Sequence, residues 1–273
     1  MEIGCLPLRS LGNTGLHISP LGLGTVKFGR TAQLKYPSQF ALPTDDEISH
    51  LLEIARDSGI NLLDTAPAYG VAEERIGKAI KEKDQRDSWL ICTKGGEQFD
   101  GNQSHFDFSA DGITRSVHTS LQRLHTDRLD IVLLHSDGQV ETTPQFDDAM
   151  GALADLKSAG IIKAIGASTK TVEGGMRAVE LGDVVMVTLN ALHTDELPVI
   201  DAAKARGVGV LVKKAFASGH FSRGTAHDPV RDALEFALST SGVGSIVLGT
   251  INPDHLRQNV RTASAVLADN QHG

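Results

Sequence analysis

Four residues of this chain carry the means for moving a proton: Asp64, Tyr69, Lys94 and His135. They stand in the segments NLLDTA, APAYG, WLICTKGG and DIVLLH. Asp64, Lys94 and His135 each lie at the end of a short apolar run, the pattern of a buried strand. Tyr69 is one of only 2 tyrosines and follows Asp64 on a Pro-Ala-Tyr-Gly turn. A phenol with a pKa of about 10 is a poor acid at neutral pH. A neighbouring ammonium stabilises the phenolate and lowers that pKa. Tyr69 could then give a proton to a carbonyl oxygen and take it back in the reverse direction. His135 could hold or polarise the same oxygen. A buried Lys94 needs a counter-charge, and Asp64 is the natural partner. Singly, each has an ordinary structural reading: a turn carboxylate, a loop anchor, a surface lysine, a satisfied core histidine. The four together, at the same ends of successive strands, are harder to assign to structure alone.

For these side chains to meet, their strands must run side by side in one direction. The chain alternates short β-branched runs with longer helical ones. Strands are expected at 21–25, 61–65, 89–94, 129–135, 161–168, 184–190, 208–214 and 245–250, each followed by a helix. Thr44-Asp-Asp-Glu47 reads as a capping box, with Ile48, Leu51, Leu52 and Ala55 on one face and Gly59 beyond the end. Asp228-Pro229 and Asn252-Pro253 place a cap residue before a proline in the first helical turn. Eight such units predict an α/β fold: a (β/α)8 TIM barrel, one domain over 1–273, whose mouth at the strand C-terminal ends gathers the four residues. A doubly wound open sheet is the runner-up; no Gly-x-Gly-x-x-Gly follows the first strand, which counts against it. LRSLGNTGLHIS, with a turn at Asn13-Thr-Gly15, reads as an N-terminal β-hairpin that could close the barrel bottom. The longest loops, 26–43 and 95–108, fall on the strand C-terminal side, where barrel enzymes work.

The chain has 273 residues, about the length one such barrel needs. Its 40% hydrophobic and 22% charged content is that of an ordinary globular protein. The formal net charge of −8 and the lack of a basic stripe argue against a nucleic-acid partner. No long apolar run or basic leader opens the sequence, so neither a membrane span nor a secretion signal is expected, and a cytoplasmic location follows by default. Cys5 and Cys92 make no disulfide framework, and Cys92 sits within a strand pattern, as a packed thiol in a reducing compartment would. No metal site is expected.

The tetrad in order, with its flanking sequence, resembles the aldo-keto reductase superfamily over nearly the whole chain. LGNTGLHISPLGLGT is similar to that family's opening hairpin and first strand, INLLDTAPAYGVAEERIGKAI to its second unit, ICTKGG to its lysine segment and SLQRLHTDRLDIVLLH to the part ending in its histidine. The resemblance implies hydride transfer between a nicotinamide cofactor and a carbonyl compound (aldehyde, ketone or aldose) or the corresponding alcohol. Tyr69 is then the general acid, tuned by Lys94 and Asp64, and His135 orients the carbonyl. IGAS and LGTINPDHLRQNV resemble the main cofactor segments, with Gly24 and Thr25 at the first strand and Asn190 at the sixth. This implies cofactor contacts at Ser168, Thr169, Asn190, Lys213, Gly249, Thr250, Asn252, His255, Gln258 and Asn259. Ser218, Gly219 and Arg223 of AFASGHFSRG would add to them. A helix N-terminus at Asn252-Pro253 and the loops after strands seven and eight suit a phosphate. A plain Asn-Pro helix cap is the ordinary reading of the same residues.

Some positions depart from the family pattern. Thr169 stands where asparagine is usual, Met186 where glutamine often helps, and Lys213 where an aromatic often stacks on the nicotinamide. Gly249 and His255 occupy the places of basic residues that hold a ribose phosphate in many members. NADP(H) is therefore favoured only narrowly over NAD(H). Phe28, Tyr36, Phe40, Tyr69, Phe99, Phe106 and Phe108 follow the first three strands, and Phe216 and Phe221 the seventh, so an aromatic-lined pocket is expected. A monomer and a homo-oligomer are both compatible with the sequence. Two other readings compete: a cofactor-binding sensor or regulatory subunit with little turnover, and an aldolase with Lys94 as Schiff base. A close Asp64 would keep Lys94 protonated, against the second.

Overall fold

The sequence LRSLGNTGLHIS folds as an antiparallel hairpin of β1 (Arg9–Ser10) and β2 (His17–Ile18), with Arg9 opposite Ile18. This computed structural model describes residues 6–34, 40–217 and 228–272. At the turn, Gly12 has φ +51, and a Cβ there would lie 2.4 Å from the Gly207 carbonyl oxygen. Asn13 N donates to that same oxygen at 2.7 Å. The hairpin therefore sits flush against the barrel floor, where only glycine fits.

Eight parallel strands form the barrel: β3 (Leu21–Gly24), β4 (Leu62–Asp64), β5 (Leu90–Gly95), β8 (Leu129–His135), β9 (Ile162–Ser168), β10 (Val184–Thr188), β11 (Gly209–Lys213) and β12 (Val243–Leu248). They pair in chain order, and β12 returns to β3 with Val247 beside Gly22. Closure excludes the open doubly wound sheet. Strands alternate faces. Leu62, Cys92, Ile131, Leu133, Ala164, Val184, Met186 and Leu211 point inward and pack on Leu11, Leu16 and Ile18 of the hairpin. Leu63, Ile91, Val132, Leu134, Ile165, Val185 and Val212 point outward to the helices.

The helices are α1 (Val26–Gly29), α2 (Asp45–Asp57), α3 (Ala72–Glu82), α4 (Ala110–Arg123), α5 (Pro144–Ser158), α6 (Val172–Leu181), α7 (Leu197–Arg206), α8 (Pro229–Ser239) and α9 (Pro253–His272). The capping box is present: Glu47 N donates to Thr44 Oγ1, and Thr44 N to the Glu47 carboxylate. Asp228 Oδ1 accepts from the amides of Val230 and Arg231. Asn252 Oδ1 accepts from those of Asp254 and His255.

The fourth strand matches its expected bounds, 129–135, and the others differ by one or two residues. The sixth strand stops at Thr188 rather than Asn190, because Asn190 turns back to bond His193. The last strand starts at Val243 and stops at Leu248, since Thr250 and Asn252 already form the turn into α9. The two long loops are not plain loops. The first holds α1, and the second holds a hairpin of β6 (Glu97–Phe99) and β7 (Ser104–Phe106). Its tip is set by Asp100 Oδ1, which accepts from Asn102 N and Gln103 N at 2.8 Å each. An Asp-Gly-Asn run is the sequence signal for such a turn.

Candidate active site

The two-residue strand period decides which side chains reach the barrel mouth. Counting up from inward-facing Leu62, Cys92 and Leu133, the next inward positions are Asp64, Lys94 and His135. The same count from Ala164 and Leu211 gives Ser168 and Lys213. The short turn at Pro67–Tyr69 brings Tyr69 over this end of the barrel. All six line one cavity of about 990 Å³.

Lys94 is 1% exposed and Asp64 3%. The Lys94 ammonium has three donors and three acceptors: Asp64 Oδ1 at 2.6 Å, the Thr65 carbonyl at 2.9 Å and Tyr69 Oη at 3.1 Å. Burial, the largest single influence, works against the ammonium, but Asp64 together with Tyr69 and Cys92 holds the Lys94 pKa above its ordinary value. Because Tyr69 Oη accepts from Lys94, its own hydrogen is left to point elsewhere. The expected lowering of the Tyr69 pKa is not what the site does in the free protein. Burial raises it, Lys94 pulls it down and Asp64 pushes it up again, with a net rise. Tyr69 is thus a neutral phenol, a hydrogen donor whose anionic form depends on the ammonium beside it.

His135 meets Tyr69 edge to face, with ring centroids 6.2 Å apart. Burial first, then Lys94, Lys213, Lys170 and Arg30, push its pKa well below the usual value, so the imidazole is neutral. Its Nδ1 lies 3.0 Å from Glu97 Oε2, at an angle that misses a regular hydrogen bond. Sequence reasoning passed over Glu97. The signal was a carboxylate directly after the Lys94-Gly-Gly run, beyond a Gly96 with φ +103 that turns the chain back over the mouth.

Ser168 and Lys213 meet on the opposite wall. Lys213 Nζ donates to Ser168 Oγ at 3.0 Å and to the Thr169 carbonyl at 2.5 Å. Burial lowers the Lys213 pKa to about 8, with Glu196 opposing. Thr169 Oγ1 is buried without a hydrogen-bond partner among the described residues. Gly24, Thr25, Asn190 and Gly249 also line the cavity, as does Met186. Asn190 is held by its own loop, donating to the Lys214 carbonyl and accepting from Leu192 N.

Thr250, Asn252, His255, Gln258 and Asn259 lie at the start of α9, outside the cavity wall. Pro253 has no amide hydrogen, and the next two amides are taken by Asn252 Oδ1. In the free protein this terminus is therefore a closed Asn-Pro cap rather than an open set of donors. Ser218, Gly219 and Arg223 lie outside the described residues.

The aromatic lining is a correction. Among the described residues, Tyr69, His135 and His193 are the rings in the cavity wall. Phe28 and Phe108 are buried in the core. Phe99 lies under the Arg30 guanidinium at 3.7 Å and Phe40 near Lys27 at 5.2 Å. Phe106 is 42% exposed, and Phe216 packs on the core. These rings anchor loops. Tyr36 and Phe221 lie outside the described residues. Among the described residues, no helix is long and apolar enough to cross a membrane, and no cluster of three or more His, Cys, Asp or Glu could hold a metal.

The model of the aldo/keto reductase family matches residues 20–231. A D-threo-aldose 1-dehydrogenase from a Pseudomonas species is 27% identical over 92% of this chain and 91% of its own. An L-galactose dehydrogenase from Arabidopsis thaliana is 26% identical over 93% and 87%. A solved structure from Pseudomonas aeruginosa, assigned to the aldo-keto reductases, is 48% identical over 98% of both chains, with a TM-score of 0.86. An aldo-keto reductase from Bacillus halodurans shares the fold at 22% identity and a TM-score of 0.79. Barrel, mouth and matched length agree: the chain belongs to the aldo/keto reductase family of oxidoreductases.

Proposed function

We propose that the protein interconverts a carbonyl and an alcohol with NAD(P)(H), using Tyr69 as the acid or base at the substrate oxygen. One observation carries this reading. Lys94 gives its three hydrogens to Asp64, Thr65 and Tyr69, which leaves the phenol hydrogen as the donor for whatever oxygen enters the cavity. When bound, the nicotinamide supplies or accepts the hydride. The chain's own residues manage the charge. As a carbonyl oxygen gains negative charge, Tyr69 moves its proton onto it, and the Lys94 ammonium stabilises the phenolate left behind. Asp64 keeps Lys94 protonated throughout.

The donor set fits such a cofactor. The Lys213 ammonium has one hydrogen beyond those given to Ser168 and Thr169. Ser168 Oγ keeps its own hydrogen, and the unpartnered Thr169 Oγ1 is the kind of buried polar atom a ligand can satisfy. Gly24, Thr25, Asn190, Lys213, Ser168 and Gly249 would bound the site. Thr250, Asn252, His255, Gln258, Asn259, Ser218, Gly219 and Arg223 would extend it toward the phosphates, which requires the Asn252 cap to open. NADP(H) over NAD(H) remains a narrow preference, to be read from the ratio of the two affinities. A small polar carbonyl or alcohol, sugars included, suits a cavity with few aromatic walls.

Tyr69→Phe tests the reading. It keeps the ring and deletes the hydrogen donor. Turnover on a panel of aldehydes, ketones and sugars should fall by about 10²-fold or more, while nucleotide binding by fluorescence titration stays within about twofold. Full activity in the variant refutes the role of Tyr69. Tight nucleotide binding by the wild type, with no turnover on any carbonyl or alcohol, moves the reading to a nicotinamide-dependent sensor.

A further inference from the structure

Glu141 stands in the short turn Val140–Thr142 that follows β8, and it is 0% exposed. The proton chemistry at Tyr69 makes no use of it. Its Oε1 accepts from Ser136 Oγ at 2.5 Å and from Lys170 N at 2.7 Å. Its Oε2 accepts from Thr171 N at 3.0 Å and from Thr171 Oγ1. The two hydroxyl hydrogens are not free to turn away. Ser136 Oγ already accepts from Gly138 N, and Thr171 Oγ1 from Gly174 N. Every partner therefore donates, as the surroundings of a carboxylate must. The first turn of α6 closes over the group: a Cβ at Gly174 would lie 2.2 Å from Oε2.

Lys170 N belongs to the peptide unit whose carbonyl is that of Thr169. This carbonyl accepts from Lys213 Nζ at 2.5 Å. One peptide thus has a buried carboxylate at its N–H and an ammonium at its C=O. Both charges favour the polar form of the amide, and each hydrogen bond strengthens the other. The other partner of Lys213, Ser168 Oγ, carries no charge. The charged groups that act on Lys213 are Glu196 at the N-cap of α7, Lys214 next in the chain, Lys94 on β5 and Glu141. Burial is the largest influence and lowers the Lys213 pKa to about 8; Glu196 and Glu141 oppose it, and Lys214 and Lys94 add to it. His135, on β8, is a neutral ring. Lys170, His193 and Asp195 also line the cavity.

We propose that Glu141 is a positioning residue that acts through the Thr169–Lys170 peptide as the counter-charge of Lys213, fixing that ammonium in the cavity wall with one hydrogen left for an acceptor on the nucleotide. The same carboxylate ties the loop after His135 to the loop after Ser168. The ends of the adjoining strands β8 and β9 are then held as one unit. The nucleotide part rests on the reading proposed above; the link from Glu141 to Lys213 does not.

The first test is NMR of the ¹⁵N-lysine-labelled full chain without nucleotide. The Lys170 amide signal is assigned by its loss in Lys170→Arg. It should lie far downfield, move upfield as pH rises through about 8, and stop titrating there in Lys213→Met. An amide that does not sense this titration, or that senses it equally without Lys213, overturns the proposal. The second test compares the wild type with Glu141→Gln by fluorescence titration of NADPH and NADH at about pH 6 and about pH 8. Taking the ratio of the two proteins at each pH cancels the nucleotide's own ionisation. Without Glu141 the ammonium is lost at lower pH, so the variant's loss of affinity should be about threefold greater at the higher pH. An equal loss at both marks a carboxylate that only builds the loop, and it overturns the proposal. If Glu141→Gln does not fold, the amide titration alone decides. If the wild type binds neither nucleotide, the amide titration still decides the link to Lys213, and the carbonyl–alcohol reading is what fails.

Discussion

Replacing Asp64 by asparagine changes little in shape and removes one charge. Lys94, 1% exposed, would keep three acceptors, because the asparagine carbonyl can stand where Oδ1 now accepts at 2.6 Å. What is lost is the counter-charge. Breaking a buried pair by removing one partner costs about 3–5 kcal/mol. With the hydrogen bond retained, the lower end applies, about 3 kcal/mol. Lys94→Met leaves Asp64 as the unpaired charge and should cost a similar amount. The double variant has neither charge, so it should lose less than the sum, with a coupling of about 1–3 kcal/mol. Urea unfolding of the four proteins measures all of this. The pH dependence gives a second check. The folded wild-type Lys94 pKa lies above its ordinary value, so the pair's contribution is complete below the unfolded lysine pKa and is lost only as pH rises through the folded one. In Asp64→Asn, the main opposition to burial is gone and the folded pKa falls, so that variant should gain stability with rising pH. The gap between the two should narrow on the alkaline side. Additive single effects, a loss in Asp64→Asn below about 0.5 kcal/mol, or a gap that widens with pH would each refute the pairing argument.

Two further outcomes follow from other buried groups. Glu73 is fully buried, and burial pushes its pKa up despite the Thr93 hydroxyl at 2.6 Å and Arg123 at 3.6 Å. An acid with a raised folded pKa is most favourable below its unfolded pKa and loses that contribution as pH rises through the folded value. Glu73→Gln should therefore stabilise the protein near pH 7 by about 1 kcal/mol and confer no gain at about pH 4, as read from thermal midpoints. Lys213, with a pKa of about 8, loses its charge just above neutrality. Nucleotide affinity should decline as pH rises through that value, and Lys213→Met should flatten the profile; parallel slopes in the two proteins would remove Lys213 from the cofactor site.

The barrel was legible because its signal is periodic. Apolar runs recur eight times, and within each run the two-residue alternation also tells which end residues face the lumen. That is why Asp64, Lys94 and His135 were readable as a set. Tyr69 was readable by its scarcity and its Pro-Ala-Tyr-Gly turn. What escaped was carried by loops. Glu97 has no strand pattern around it, and its approach to His135 depends on the turn at Gly96 and on a hairpin whose only sequence mark is Asp100-Gly-Asn. The phenylalanines misled for a related reason. Position on the catalytic side of a barrel does not say whether a ring faces the mouth or pins the loop beneath it, and Phe28, Phe99 and Phe108 do the second. Lys94 does pull the Tyr69 pKa down, but the sequence gives neighbours and not depth, and here burial exceeds the pull of the ammonium.

Depth also bears on how an acidic chain can hold an anionic nucleotide. The whole protein carries −8, so its long-range field repels a phosphate. Inside the mouth the balance is different. His135 and Lys213 both have pKa values lowered by burial and by neighbouring lysines. Burial is the larger cause in both; cations add to it at His135, while Glu196 opposes it at Lys213. Lys170, Lys213 and Lys214 line the cavity together with Asp195 and Glu196, and Glu196 opposes Lys213. An anion entering there lowers the energy of these lysines, whereas at the surface it meets the net negative field and salt screening. On the proposed reading, affinity for an anionic cofactor should depend on the protonation of Lys213 more than on ionic strength.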